Sequence, residues 1–267
     1  MKGQAPLRVA AVRYLNSAPL VWGLEHGPYR ERFQVEYTVP SRCADLLRAS
    51  EADAGIIPSI EYQRIRNLKI VPGLSVSSCG PVRSVLLISR CPLQAIQSIA
   101  VDTASRTSAC MLEILLERHF HILPLLVPHD PDLKRMLRER DAALIIGDPA
   151  LASDFPGLQV WDLATEWRKM TGLPFVFAFW ALRAEAATPD WVPAFQQSTV
   201  YALAHLNEII EQETRRTGLT PELIRSYLTE NIDFSLGEEN LKGLRLFYSL
   251  AEQLGLTPAT KPLEFIG

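Results

Sequence analysis

Residues 81–120, PVRSVLLISRCPLQAIQSIAVDTASRTSACMLEILLERHF, decide how the whole chain is read. An apolar β run (81–89) breaks at CPLQ, and a second begins at SIAVD (98–102). A crowd of hydroxyls around Arg106 then precedes an apolar helical run. Strand, polar junction and helix form the repeating unit of a mostly parallel sheet covered by helices. The helix start needs one capping oxygen, which Thr103 or Ser105 alone supplies. Thr107 and Ser108 exceed that need. Free N–H groups at the positive end of a helix attract anions, and the Arg106 guanidinium suits a carboxylate or phosphate. The plain alternative is a well-capped surface helix with Arg106 met by Glu113 or by water.

Working outward, LRVAAVRYL (7–15), FQVEYTV (33–39) and DAGIIP (53–58) read as strands. They alternate with helices that end at Gly27, begin at a capping Ser41 and begin at Ser59. Beyond the opening stretch, ILPLLV (122–127), DAALIIG (141–147), LQVWDL and the aromatic run LPFVFAFWALR (173–183) are β-like. Pro149 opens a short helix behind Asp148, and residues 190–216, 220–231 and 238–255 read as helices. The runs at 81–89 and 173–183 bracket a self-contained α/β segment, while the terminal helices lack strands to build a sheet of their own. The expectation is a bilobal α/β protein with two crossing hinge segments: residues 1–89 with 179–267 as one lobe, 90–178 as the other. Such a plan puts a small-molecule site between the lobes.

Composition narrows the ligand. The 267 residues are 48% hydrophobic, enough for substantial cores, and the net charge of −3 argues against broad electrostatic binding of nucleic acid. Any anion site must be local. The N-terminus lacks the apolar core of a signal peptide, and no apolar run is long enough to span a bilayer, so a soluble cytoplasmic protein without membrane association is expected. Cys43, Cys79, Cys91 and Cys110 show no C-x-x-C pair and read as plain buried thiols. No metal or organic cofactor is implied, and P-loop, G-x-G-x-x-G and G-x-S-x-G strings are absent.

In open α/β sheets ligands bind beyond the carboxyl ends of the strands. Those ends here carry Tyr14, Asn16 and Ser17, then Ser59, then Ser105 to Ser108, then Gly147 and Asp148. Each also has a structural reading, since Asn16, Ser59 and Asp148 are ordinary helix caps. Ser84 is the one small polar residue on its face between Val82 and Leu86, in a strand expected to cross between lobes. The aromatics Trp161, Trp167, Trp180, Phe175, Phe177 and Phe179 read as core, with some walling the cleft.

Several of these strings together resemble the chorismate dehydratases of the futalosine route to menaquinone: RYLNSAPL (13–20), AGIIPSIEY (54–62), GPVRSVLL (80–87), DTASRTSA (102–109), ALIIGDPAL (143–151) and Trp167 to Trp180. Pro149 is a departure that leaves its helix start intact. The resemblance implies a type II periplasmic-binding-protein-like fold and a lyase that removes water from chorismate to give 3-[(1-carboxyvinyl)oxy]benzoate. It implies Asn16 and Ser84 as functional residues, with Arg106, Thr107, Ser108 and Asp148 in the cleft; the strand-end reading adds Ser59, Ser105 and Gly147 as substrate-binding residues. The substrate's own enolpyruvyl carboxylate would take the proton, with Asp148 the competing base. Two rivals stay open: a non-catalytic carboxylate-binding protein, and the dihydroxynaphthoate synthase of the same route, which shares the fold. The oligomeric state and any complex with the next enzyme are not legible.

Overall fold

The computed structural model describes residues 5–102 and 104–267, so Thr103 lies outside the described residues. The chain first lays down β1 (Leu7–Val12), β2 (Phe33–Thr38) and β3 (Ala54–Pro58), all parallel, then the long β4 (Leu68–Ser78). It crosses to a second sheet for β5 (Val85–Ser89), β6 (Ser98–Asp102), β7 (Leu125–His129), β8 (Ala142–Ile146) and β9 (Gln159–Asp162). It returns for β10 (Phe175–Arg183) and β11 (Asp233–Leu236). The first sheet has the order β11-β4-β10-β3-β1-β2 and the second β7-β6-β8-β5-β9.

Helices cover both sheets. α1 (Ala18–His26), α2 (Pro40–Arg48) and α3 (Ser59–Arg64) follow the first three strands; α4 (Arg106–Leu115), α5 (Leu133–Glu139), α6 (Asp148–Leu151) and α7 (Leu163–Thr171) belong with the second sheet. α8 (Trp191–Ala204), α9 (Leu206–Thr217), α10 (Pro221–Ser226) and α11 (Glu238–Gln253) close the chain. Local chemistry sets these ends. Asp162 caps α7 by accepting the Thr165 N–H at 3.0 Å, and Gly172 ends it in the left-handed region at φ 74°. Gly23 lets α1 lie against α8: a Cβ there would stand 1.9 Å from the Ser198 carbonyl oxygen.

β5 is buried on both faces, and its alternation splits the interior. Val85 and Leu87 join a main apolar core that runs from Val9 and Ile57 through Trp167 and Phe247. Leu86 and Ile88 join a smaller cluster with Met136 and Ile145. Among the described residues no helix is long and apolar enough to cross a membrane.

Several expectations change. Residues 81–84 are not strand, because the chain there is passing between sheets; β5 starts at Val85 and pairs with β8 and β9. That pairing puts 85–89 with the second sheet, and 175–178 pair in the first, so the lobe boundaries at 89 and 179 shift to the crossings themselves. β11 interrupts the expected helical tail as an edge strand on β4. Ser41 does not cap α2, since Val39 holds the cap position and Pro40 the first turn. Of the thiols, Cys43 and Cys110 are buried, but Cys79 is exposed and Cys91 half-buried.

Candidate active site

The carboxyl ends of the parallel strands from both sheets face one another across a cleft of about 580 Å³, its open mouth included. Val12 and Ile56 line it from the first sheet and Val85 and Ile146 from the second, with Phe177 and Tyr14 adding aromatic faces. Asn16, Ser17, Ser105, Arg106, Thr107, Ser108 and Gly147 supply the polar lining. Six of the nine residues expected in the site are therefore brought together here. Ser59, Ser84 and Asp148 do not line the cleft.

The α4 start is the polar floor. Ser105 occupies the cap position yet makes no capping bond, and its buried Oγ has no hydrogen-bond partner among the described residues. The first-turn amides of a helix lack intrahelical acceptors, so hydroxyl and amides together await an acceptor from a ligand. Thr107 Oγ1 accepts the Ile60 N–H at 3.3 Å, tying α4 to the start of α3.

Arg106 corrects the expectation. Its guanidinium turns to the first lobe's helices, meeting both oxygens of Asp45 at 3.1 Å and Glu61 Oε2 at 3.0 Å. Glu61 is buried and also paired with Arg48 at 2.6 Å and Arg64 at 2.9 Å. Burial pulls the Arg106 pKa down, but the bonds and charges of Asp45 and Glu61 hold it above the ordinary arginine value. Burial pushes Asp45 up, and Arg106 and Arg48 together hold it below the usual carboxylate range. The arginine thus joins the two α/β units, and where it borders the cleft its charge is already met by Asp45 and Glu61.

Asp148 is likewise engaged. Oδ1 accepts the Leu15 N–H at 2.8 Å and Oδ2 accepts from Arg216 at 2.7 Å, so it binds the end of the second sheet's central strand β8 to α9 and the chain after β1. It does not cap α6, whose cap position belongs to Gly147. Gly147, at φ 69° and ψ −152°, adopts a backbone that is essentially glycine-only, and a Cβ there would meet the Tyr14 ring at 3.1 Å. Burial, then the charges of Asp102 and Asp148, push the Tyr14 phenol up to about 12, so it remains a neutral donor. Ser59 is structural: its hydroxyl donates to the Val176 carbonyl at 2.7 Å and its own carbonyl accepts from Tyr248 at 2.6 Å.

Ser84 is fully buried beside the cleft-lining Val85. It follows Arg83, whose φ of 61° is left-handed and whose N–H is held by Asp162 at 2.6 Å. A non-glycine residue in that region costs about 1–3 kcal/mol and persists only where the surroundings enforce it. Tyr227, in the π-helical turn Tyr227–Asn231, donates its hydroxyl to Ser84 Oγ at 2.6 Å. The turn Leu15–Ser17, which carries Asn16, packs against the same π-helical turn. Sequence reasoning missed Tyr227, Asp45 and the inward turn of Glu61; none sits at a strand end.

A family model described as menaquinone biosynthesis matches residues 7–253. The chain belongs to the menaquinone biosynthesis family. A relative from Thermus thermophilus named chorismate dehydratase is 33% identical, over 94% of this chain and 96% of its own length. Among solved structures, a protein from Archaeoglobus fulgidus superposes with a TM-score of 0.79 at 20% identity, covering 95% of this chain and 99% of that one. The periplasmic aliphatic sulphonate binding protein SsuA from Escherichia coli follows at 0.67 and 15% identity, covering 99% and 95%. The family member thus has the bilobal type II periplasmic-binding-protein-like fold.

Proposed function

We propose that this family member is a chorismate dehydratase, a lyase that converts chorismate to 3-[(1-carboxyvinyl)oxy]benzoate at the head of the futalosine route to menaquinone. The observation that carries this reading is the 33% identity to the Thermus thermophilus chorismate dehydratase along nearly the whole of both chains. It favours the dehydratase over the sister synthase. The solute-binding proteins share only the fold, which does not fix function.

The reaction breaks the ring C–H bond beside the enol ether and the neighbouring C–OH bond, and water leaves as the ring becomes aromatic. Aromatisation supplies the driving force. The protein's task is to bind two carboxylates, hold the ring in a reactive conformer and stabilise the charge that develops. Ser105 Oγ, Ser108 and the α4 amides take one carboxylate. Phe177, Tyr14 and the valine and isoleucine walls take the ring. Asn16 faces the reacting carbons and Ser84 stands behind it. Asp148, with both oxygens bonded and no face on the cleft, is a poor base, so the substrate's enolpyruvyl carboxylate takes the proton. The two lobes, residues 5–78 with 175–267 and 85–171, close on the substrate as units. This reading keeps the cytoplasmic setting expected above.

The test is to incubate the chelator-treated protein with chorismate and follow products by chromatography and mass, with Asn16→Ala and Ser84→Ala alongside. Loss of one water by the wild type, slowed on the order of 10²-fold or more in each variant, is expected from removing a donor aimed at developing charge or the serine that stands behind it. Chorismate recovered intact from folded wild type would overturn the dehydratase and leave a binder.

A further inference from the structure

We infer that Tyr227 is the positioning residue that orients both Asn16 and Ser84 for the dehydration, an inference that rests on the reading just given. Asn16 and Ser84 lie on opposite sides of the first crossing's span in sequence, one after β1 and the other before β5. They share a neighbour in the turn that Tyr227 opens, which bonds Ser84 through the tyrosine hydroxyl and packs against the turn carrying Asn16.

Hydrogen-bond counting shows what that sharing does. A serine hydroxyl has one hydrogen to give and lone pairs to accept with. By donating at 2.6 Å, Tyr227 occupies the accepting side of Ser84 Oγ, so the serine's own hydrogen must point elsewhere. The tyrosine oxygen can in turn accept from an Asn16 N–H, which leaves the carboxamide oxygen turned away. One phenol therefore sets the polarity of two side chains that otherwise rotate or flip freely. Burial, foremost, holds its pKa far above the usual tyrosine value, so it stays a neutral donor throughout the working pH range.

The backbone supports this role. Tyr227 opens a π-helical turn, an arrangement frequent at functional sites. The turn is clamped to the crossing segment by Asn231, whose Nδ2 donates to the Pro81 carbonyl at 2.9 Å. The phenol is thus fixed to the same piece of chain that carries Ser84, and the crossing cannot shift without carrying both.

Tyr227→Phe keeps the ring and removes only the hydroxyl. The expected result is a fall in kcat of about 10- to 100-fold with KM within about threefold, the pattern of a contact made good only in the transition state. In a Ser84→Ala background, read by product mass after long incubation, the same substitution should change turnover by less than about twofold, because residues acting as one unit are not additive. A merely structural tyrosine would lower the melting temperature equally in both backgrounds and leave kcat of the folded enzyme alone. Wild-type kcat in Tyr227→Phe, or an equal fold-loss on top of Ser84→Ala, overturns the inference while leaving the dehydratase in place. If Tyr227→Phe does not fold, fluorotyrosine at 227 decides: altered kcat at constant KM supports the role and unaltered kcat overturns it. A wild type inert to chorismate removes the reading and the inference together.

Discussion

The cleft is bounded by two corners built from opposite materials. At one, Asp45, Arg48, Glu61, Arg64 and Arg106 form a charged network around a carboxylate whose side chain is 1% exposed. At the other, Tyr227 meets Ser84 through an uncharged hydrogen bond, and its turn packs against the one that carries Asn16. The difference teaches where this protein uses charge. Formal charge joins α4 to the helices of the first lobe. The floor of the cleft keeps hydroxyls and helix-start amides, which under the proposed function would bind a carboxylate without a free countercharge that also stabilises the ground state.

The comparison is broken most severely by Glu61→Gln. The substitution leaves three arginines converging on a neutral amide, and removing one partner of a buried pair costs about 3–5 kcal/mol. Because the three arginine side chains are 27–45% exposed, the lower end applies. About 3 kcal/mol corresponds to a fall in melting temperature of about 6–12 °C for a chain of this size. The melt is expected to fall by that amount while kcat of the folded protein changes far less. A collapse of kcat with an unchanged melt would mean that the charged corner does chemistry and the contrast is false.

The neutral corner was half legible in the sequence. Asn16, and with it Ser105, Thr107, Ser108 and Gly147 of the cleft lining, could be found because each sits at a strand end, and strand ends are local features that converge in any open α/β sheet. Tyr227 could not, since it lies 143 residues from Ser84 and nothing in SYLTEN marks a partner. The direction of Arg106 was hidden for the same reason: its acceptors are 61 and 45 residues away on α2 and α3. Ser84 was placed in a strand by its apolar neighbours, whereas the left-handed Arg83 shows the chain turning there. β11 was missed because four residues at a sheet edge carry too little pattern to stand against the helical runs around them. Ser105, which reads as a sufficient helix cap, occupies the cap position without making the capping bond, and no sequence pattern distinguishes the two cases.

Asp148→Asn sharpens the contrast on the inter-lobe side. The amide oxygen still accepts the Leu15 N–H, but the charge facing Arg216 is gone, and Arg216 keeps Glu213 at 2.5 Å. A loss in kcat/KM of about 3- to 10-fold, under about 1.4 kcal/mol, is expected from a weakened contact between lobes. Steady-state kinetics on chorismate decides. A fall of several orders of magnitude would make Asp148 the base and end the substrate-assisted reading.

The smallest effect concerns a buried carboxylate just before the α4 start. Asp102 ends β6 and is buried; desolvation raises its pKa, only partly offset by the Ala104 N–H that it accepts at 2.9 Å. A carboxyl whose folded pKa lies above its unfolded value holds more protons when folded. Stability therefore falls as pH rises from the unfolded pKa through the folded one, and above that window the charge is a net cost. Asp102→Asn removes the charge and keeps an oxygen to accept the Ala104 N–H. Its melting temperature should exceed that of the parent slightly at neutral pH, and the gap should close as pH falls through the carboxylate range. KM for the dianionic substrate should fall as well, since a negative charge near the floor opposes binding. Thermal melts across pH with KM measured at neutrality test both, and a variant less stable than its parent at neutral pH would show that the Asp102 charge is held by something other than the α4 junction.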